Sequence, residues 1–166
     1  ILKSKTIRTT TTAVKQNEIN DKINENAKFK KLIEWFRVKF KVKNEKVLVA
    51  LSGGVDSALV ALFAKTALGR ENVLAVTANY QTLTSEELNT AIKVAKELDI
   101  NHKIIEYNEL ENLEFIKNNS SRCFHCRNEL ADNLIKVANE EDCILIVDGS
   151  NTDDLNDYRP GMLALH

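Results

Sequence analysis

After residue 26, apolar positions alternate between short runs and helical stripes. Phe29, Leu32, Ile33, Phe36 and Phe40 recur at helical spacing and predict an amphipathic helix over about 27–42, laid on a sheet, with Trp35 in the core rather than stacked on a nucleotide. Residues 47–51 form a β-branched apolar run that predicts a buried strand. Residues 57–68 are apolar nearly all round, as in a buried helix, and Gly69 suits the position just past its end. A second strand is expected over 72–78. Next, Thr84-Ser-Glu-Glu87 has capping-box spacing ahead of a single stripe of Leu88, Ala91, Ile92, Ala95 and Leu98. A strand over 102–107, a polar stretch, a helix near 126–140 and a strand over 143–147 complete the pattern. Strands alternating with helices predict an α/β fold, a doubly wound parallel sheet with helices on both faces. Ligands of such sheets lie beyond the carboxyl ends of the strands. Residues 1–26 are polar and lack this periodicity, with threonine at each of 9–12, and are read as a flexible basic extension ahead of a domain over 27–166.

The junction after the first strand carries the most specific chemistry. Residues 52–57 read Ser-Gly-Gly-Val-Asp-Ser between a buried strand and a helix start. Gly53 and Gly54 let backbone approach an anion, the helix N-terminus adds unpaired amides including that of Val55, and Ser52 and Ser57 add hydroxyls. Asp56 makes sense beside phosphates mainly with Mg²⁺ between them. No lysine of the common GxxxxGK[ST] loop is present.

Two further stretches converge on the same edge. The chain after the 143–147 strand carries Asp148, Asp153, Asp154 and Asp157, a set of carboxylates costly together unless solvated or neutralised by cations. Gly149, Ser150, Asn151 and Thr152 offer donors for ribose or phosphate, Ala78 ends the second strand on that edge, and Arg159 presents a planar fork to an anion. Cys123-x-x-Cys126 precedes a helix that must run antiparallel to the strands, so the pair belongs at the same edge, where the helix dipole favours thiolates. The pair suits sulfur chemistry or a metal, zinc or iron–sulfur. Cys143, at the far end of its strand, is read as a small buried hydrophobe.

Ser-Gly-Gly-Val-Asp-Ser resembles the PP-loop of the ATP pyrophosphatase superfamily, whose fold is Rossmann-like, of the adenine nucleotide alpha hydrolase type. That resemblance implies cleavage of ATP between its α and β phosphates. With Arg122-Cys-x-x-Cys-Arg127, Asp148-Gly-Ser-Asn-x-Asp-Asp-Leu and Asp157-Tyr-Arg-Pro-Gly161, the chain looks like the ATP-dependent sacrificial sulfur transferase family, LarE, over about 27–166. What this implies is adenylation of a substrate carboxylate, on a small molecule or mononucleotide, followed by sulfur insertion. Asp56, Cys123, Cys126 and Arg159 would carry catalysis, and Asp56 and Asp153 would bind Mg²⁺. A [4Fe-4S] cluster is implied as an option in the longer family members, whose C-terminal half carries another cysteine.

Composition narrows the remaining choices. With 166 residues and 43% apolar composition, one domain with a real core is expected. No run of 18 apolar residues and no hydrophobic leader appear, which points to a cytoplasmic protein, away from membranes. Three cysteines are too few for a disulfide scaffold. Residues 1–46 hold 13 basic against 5 acidic residues, whereas 47–166 hold 10 against 19. The basic arm could contact RNA, but without an aromatic stacking pattern it is read as solvated. The chain lacks an initial methionine and reads as a fragment of a longer protein, with a homo-oligomer as an option. Its rival readings are a tRNA thiolation enzyme, an amidating synthetase of the GMP or NAD synthetase kind, and a nucleotide-binding fragment without turnover.

Overall fold

The computed structural model describes residues 21, 26–40, 45–109 and 122–150, with side chains in the last segment from residue 126. Almost all of the predicted 1–26 extension, and the site residues Asn151, Asp153 and Arg159, lie outside the described residues, as does the side chain of Cys123.

In chain order the elements are α1 (Ala27–Lys39), β1 (Lys46–Ala50), α2 (Val55–Leu68), a short 3₁₀ turn (Arg70–Asn72), β2 (Val73–Tyr80), α3 (Ser85–Leu98), β3 (Asn101–Tyr107), α4 (Arg122–Glu140) and β4 (Cys143–Val147). The four strands form one parallel sheet in the order β3-β2-β1-β4. Parallel pairing forces a crossover between successive strands, and α2, α3 and α4 supply them. All four carboxyl ends therefore share one edge.

β1 is central, and Val47, Leu48 and Val49 are wholly buried. That explains its unbroken apolar run, since a strand covered on both faces has no solvent side to leave polar. Val47, Val49, Leu51, Val73 and Ala75 face a cluster containing Phe63 and Ala64 of α2 and Ala95 of α3. Leu48 and Val76 face the other way, onto Leu134, Val137 and Ala138 of α4. Helices thus cover both faces, as the alternating pattern predicted.

Local signals account for the element ends. Thr84 and Glu87 form the expected capping box at α3, with the Glu87 amide donating to the Thr84 hydroxyl at 3.2 Å and the Thr84 amide donating to Glu87 at 2.9 Å. Gly69 follows α2 at φ +86°, a conformation that a side chain would strain. The Asn26 side chain accepts the amides of Lys28 and Phe29 and starts α1.

Several expectations require correction. α1 packs on α2 rather than across the sheet, with the Phe29 and Phe63 rings 5.1 Å apart. Trp35 is 43% exposed and not in the core; it stands edge-on to Phe36, with the Lys39 ammonium 5.9 Å from its ring. Leu32 is also exposed, so the buried stripe of α1 is Ile33 and Phe36. On α3, Ile92 faces solvent and Val94 packs inward in its place. Among the described residues no helix is long and apolar enough to cross a membrane.

Candidate functional site

Residues 52–57 leave β1 at the carboxyl edge and enter α2, where the 52–57 turn shapes itself through its serines. The Ser57 side chain is buried; its hydroxyl donates to the Gly54 carbonyl at 3.0 Å and accepts the Ser52 amide at 3.3 Å. With that proton committed, Ser52 Oγ is the donor in its 3.1 Å contact with Ser57 Oγ, and it accepts the Gly54 amide at 3.3 Å. Ser57 therefore builds the turn, whereas Ser52, Val55 and Asp56 are exposed on its outer side.

Gly53 has φ +86°, and a Cβ there would lie 2.9 Å from the Ala91 backbone nitrogen of α3. Gly54 caps α2 without a side-chain partner for the first-turn amides. Such a helix end, with Asp56 in its first turn, offers backbone donors to an anion and a carboxylate to a cation.

The second predicted stretch meets the first. A Cβ on Gly149 would lie 2.5 Å from the Ser57 nitrogen and 2.9 Å from the Asp56 carbonyl carbon, so its backbone rests directly on the first turn of α2. Asp148 organises this loop by accepting the Ser150 amide and hydroxyl, both at 3.1 Å. Ala78 lies on β2 opposite Ile105, past the end of β1.

Cys126 lies on the same edge, on its other half. α4 begins at Arg122, a turn earlier than expected, so Cys123 and Cys126 belong to its opening turns. Burial, and next to it the charge of Cys126, push up the phenol pKa of both Tyr80 and Tyr107. Cys126 therefore neighbours the carboxyl ends of β2 and β3, where the tyrosine rings are 5.8 Å apart. An open cleft there is lined by Asn79, Tyr80, Gln81, Glu106, Tyr107 and Asn108, among others. Cys143 starts β4 at the opposite edge, half-buried, and burial raises its thiol pKa despite nearby Lys46. Among the described residues no group of three or more His, Cys, Asp or Glu could hold a metal ion.

Two features had no place in the sequence reading. Glu109 is wholly buried and accepts the Gln81 amide at 2.9 Å and the Thr82 amide at 2.8 Å. Burial raises its carboxyl pKa, and the donors from Thr82 and Gln81 outweigh that and hold it below the usual range. Thr77 bridges Leu51 and His102 inside the sheet. Only an acid just past a strand end, one of several between 106 and 114, hinted at Glu109; nothing in the local pattern marked Thr77 or His102.

With this geometry in hand, a family model described as NAD synthase matches residues 28–139. The chain belongs to this family. It is 42% identical over 120 residues to an uncharacterised protein of Synechocystis sp., covering 72% of this chain and 44% of that one. It is 37% identical over 121 residues to the pyridinium-3,5-bisthiocarboxylic acid mononucleotide synthase of Lactiplantibacillus plantarum, again covering 72% and 44%. Among solved structures it matches the NH3-dependent NAD synthetase of Campylobacter jejuni, in complex with a nitrate ion, at TM-score 0.62 and 28% identity, covering 76% of this chain and 56% of that one. The PP-loop and LarE resemblances are thus borne out at the level of family and relatives. The chain spans less than half the length of these curated relatives.

Proposed function

We propose that the chain is the nucleotide-binding part of an ATP-dependent enzyme that adenylates a carboxylate and then inserts sulfur. In this reading a carboxylate oxygen of the acceptor attacks the α-phosphorus of ATP. The bond to the bridging oxygen breaks and pyrophosphate leaves. A sulfur nucleophile then adds to the acyl carbon and expels AMP, leaving a thiocarboxylate. The observation that carries it is the seating of Gly149 on the first turn of α2, which joins two motifs about 90 residues apart in sequence at one strand edge.

Ser52, Gly53, Gly54 and the Val55 amide bind the leaving pyrophosphate, with Ser57 holding their backbone in shape. Ala78, Gly149, Ser150 and Asn151 border the rest of the nucleotide. Mg²⁺, when bound, neutralises charge between phosphates and protein, and an exposed first-turn carboxylate fits its preference for one or two carboxylates plus phosphate oxygens. Asp56 is that carboxylate, with Asp153 as its partner. Cys123 and Cys126 deliver or handle sulfur, and Arg159 holds the acceptor anion. Residues 27–166 form one functional domain, and the acceptor is a small carboxylated mononucleotide.

The family match favours a second reading, in which ammonia replaces sulfur and the product is an amide. Incubation with ATP, Mg²⁺ and a carboxylated pyridine mononucleotide, in the presence of sulfide or ammonium, separates the two by product mass. Exchange of oxygen for sulfur supports the first reading. Amide formation alone overturns it in favour of the second.

A further inference from the structure

A continuous polar chain runs beneath the 52–57 turn. Thr77, buried on β2, donates its hydroxyl to the Leu51 carbonyl at 2.7 Å and lies 2.8 Å from Nε2 of His102 on β3. A hydroxyl has a single proton. With that proton on Leu51, the Thr77 oxygen can only accept from His102, so the imidazole carries hydrogen on Nε2. Burial lowers the His102 pKa, which favours a neutral ring with Nδ1 bare.

The chain continues past Leu51. The Leu51 carbonyl and the Ser52 amide belong to one planar peptide. That amide donates to Ser57 Oγ at 3.3 Å, and Ser57 Oγ donates to the Gly54 carbonyl at 3.0 Å. The Gly54 carbonyl shares its peptide with the Val55 amide, the first of α2. Every donor points the same way, from the imidazole toward the helix end. Hydrogen bonds in series polarise one another, and an amide whose own carbonyl accepts a bond becomes a stronger donor. The preceding peptide is anchored as well, since the Leu51 amide donates to the Val76 carbonyl at 2.9 Å.

We infer that His102 is a positioning residue for the phosphate loop: its Nε2–H, relayed through Thr77, the Leu51–Ser52 peptide and Ser57, orients residues 51–54 and polarises the Val55 amide. This rests on the reading of residues 52–57 as a phosphate site. His102 is two strands away from the loop and reaches it through Thr77.

The test compares His102→Leu, His102→Gln and Thr77→Val in the full chain, with inorganic pyrophosphate as the probe. His102→Leu and Thr77→Val should each weaken pyrophosphate binding by about tenfold, the scale of one hydrogen bond. His102→Gln retains a side-chain N–H donor and should stay within about threefold. Combining His102→Leu with Thr77→Val should cost no more than Thr77→Val alone, because both break one chain. Nitrogen NMR of the unaltered protein should show Nε2 protonated and Nδ1 bare. The opposite tautomer, or unchanged affinity in folded His102→Leu, overturns the relay. If the unaltered protein binds no pyrophosphate, the phosphate reading fails by itself, and hydrogen exchange at the Ser52 amide, which the relay holds on Ser57 Oγ, decides the relay. Faster exchange in His102→Leu and Thr77→Val but not in His102→Gln upholds it, and unchanged exchange rejects it.

Discussion

Replacing Gly149 by alanine tests whether the contact between the 148–150 loop and α2 shapes the site. The added Cβ would lie 2.5 Å from the Ser57 nitrogen, 2.8 Å from its Cα and 2.9 Å from the Asp56 carbonyl carbon. All three atoms are backbone, in the first turn of a helix, and cannot swing aside. Ordinary contact begins near 3.4 Å, so the two segments must separate by roughly 1 Å. Overpacking of this kind costs about 1–3 kcal/mol. A displacement of about 1 Å at a reacting group can cost on the order of 100-fold in rate, so function should suffer more than stability. Gly54→Ala is the matched control for stability alone, since Gly54 itself belongs to the phosphate turn: its added Cβ meets only Ser52 Oγ at 3.4 Å, and its φ of −71° suits any residue. Thermal unfolding and calorimetric titration with ATP and Mg²⁺ provide the two readouts. Gly149→Ala should stay folded and lose about tenfold or more in ATP affinity, and Gly54→Ala should lose less thermal stability than Gly149→Ala. Equal affinities for Gly149→Ala and the unaltered protein would refute the claim that this contact shapes the site.

Three further outcomes follow from individual side chains. Glu109→Gln should destabilise the protein at neutral pH by about 1–3 kcal/mol, because an amide cannot accept both the Gln81 and Thr82 donors with two carboxylate oxygens. Since the folded carboxyl titrates below the ordinary 4.5, its contribution is present above that value and is lost as pH falls through the lower range; the gap between Glu109→Gln and the unaltered protein should close in acid, and a gap constant with pH would reject this account. Asp56→Asn should weaken Mg²⁺-dependent ATP binding more than binding in EDTA, and equal losses would remove the metal role. Alkylation of metal-free folded protein, mapped by mass spectrometry, should modify Cys126 before Cys143, whose thiol is pushed up by burial; the reverse order would contradict the placement of Cys126 at the functional edge.

Much of the architecture was legible because its signals are local. The β-branched run of β1, the Thr84–Glu87 capping box and the Gly69 stop each describe a few consecutive residues, and all three appear as read. The position of residues 52–57 at the carboxyl edge followed from topology alone. Layering was less legible: helical spacing of Phe29, Ile33 and Phe36 marks a buried face but not the element that buries it, which is why α1 was placed on the sheet rather than on α2. Trp35 failed for a related reason, since its ring packs beside Phe36 at the surface, where periodicity is silent. Glu109 was invisible because its partners, the amides at 81 and 82, come close only after β3 has paired with β2. The serines were recognised as donors, but that Ser57 spends its hydroxyl on Gly54 depends on the fold of the turn.

The central claim is that this edge activates a carboxylate at the α-phosphate of ATP. Exchange of labelled pyrophosphate into ATP, measured with Mg²⁺ and a carboxylated pyridine mononucleotide on a chain extended to the length of its relatives, tests that most directly. The account predicts carboxylate-dependent exchange with AMP as the nucleotide product, reduced on the order of 100-fold by Gly149→Ala and weakened by Asp56→Asn. Formation of ADP and phosphate as the main products, with no exchange, would contradict it, because it would put the reaction at the γ-phosphate.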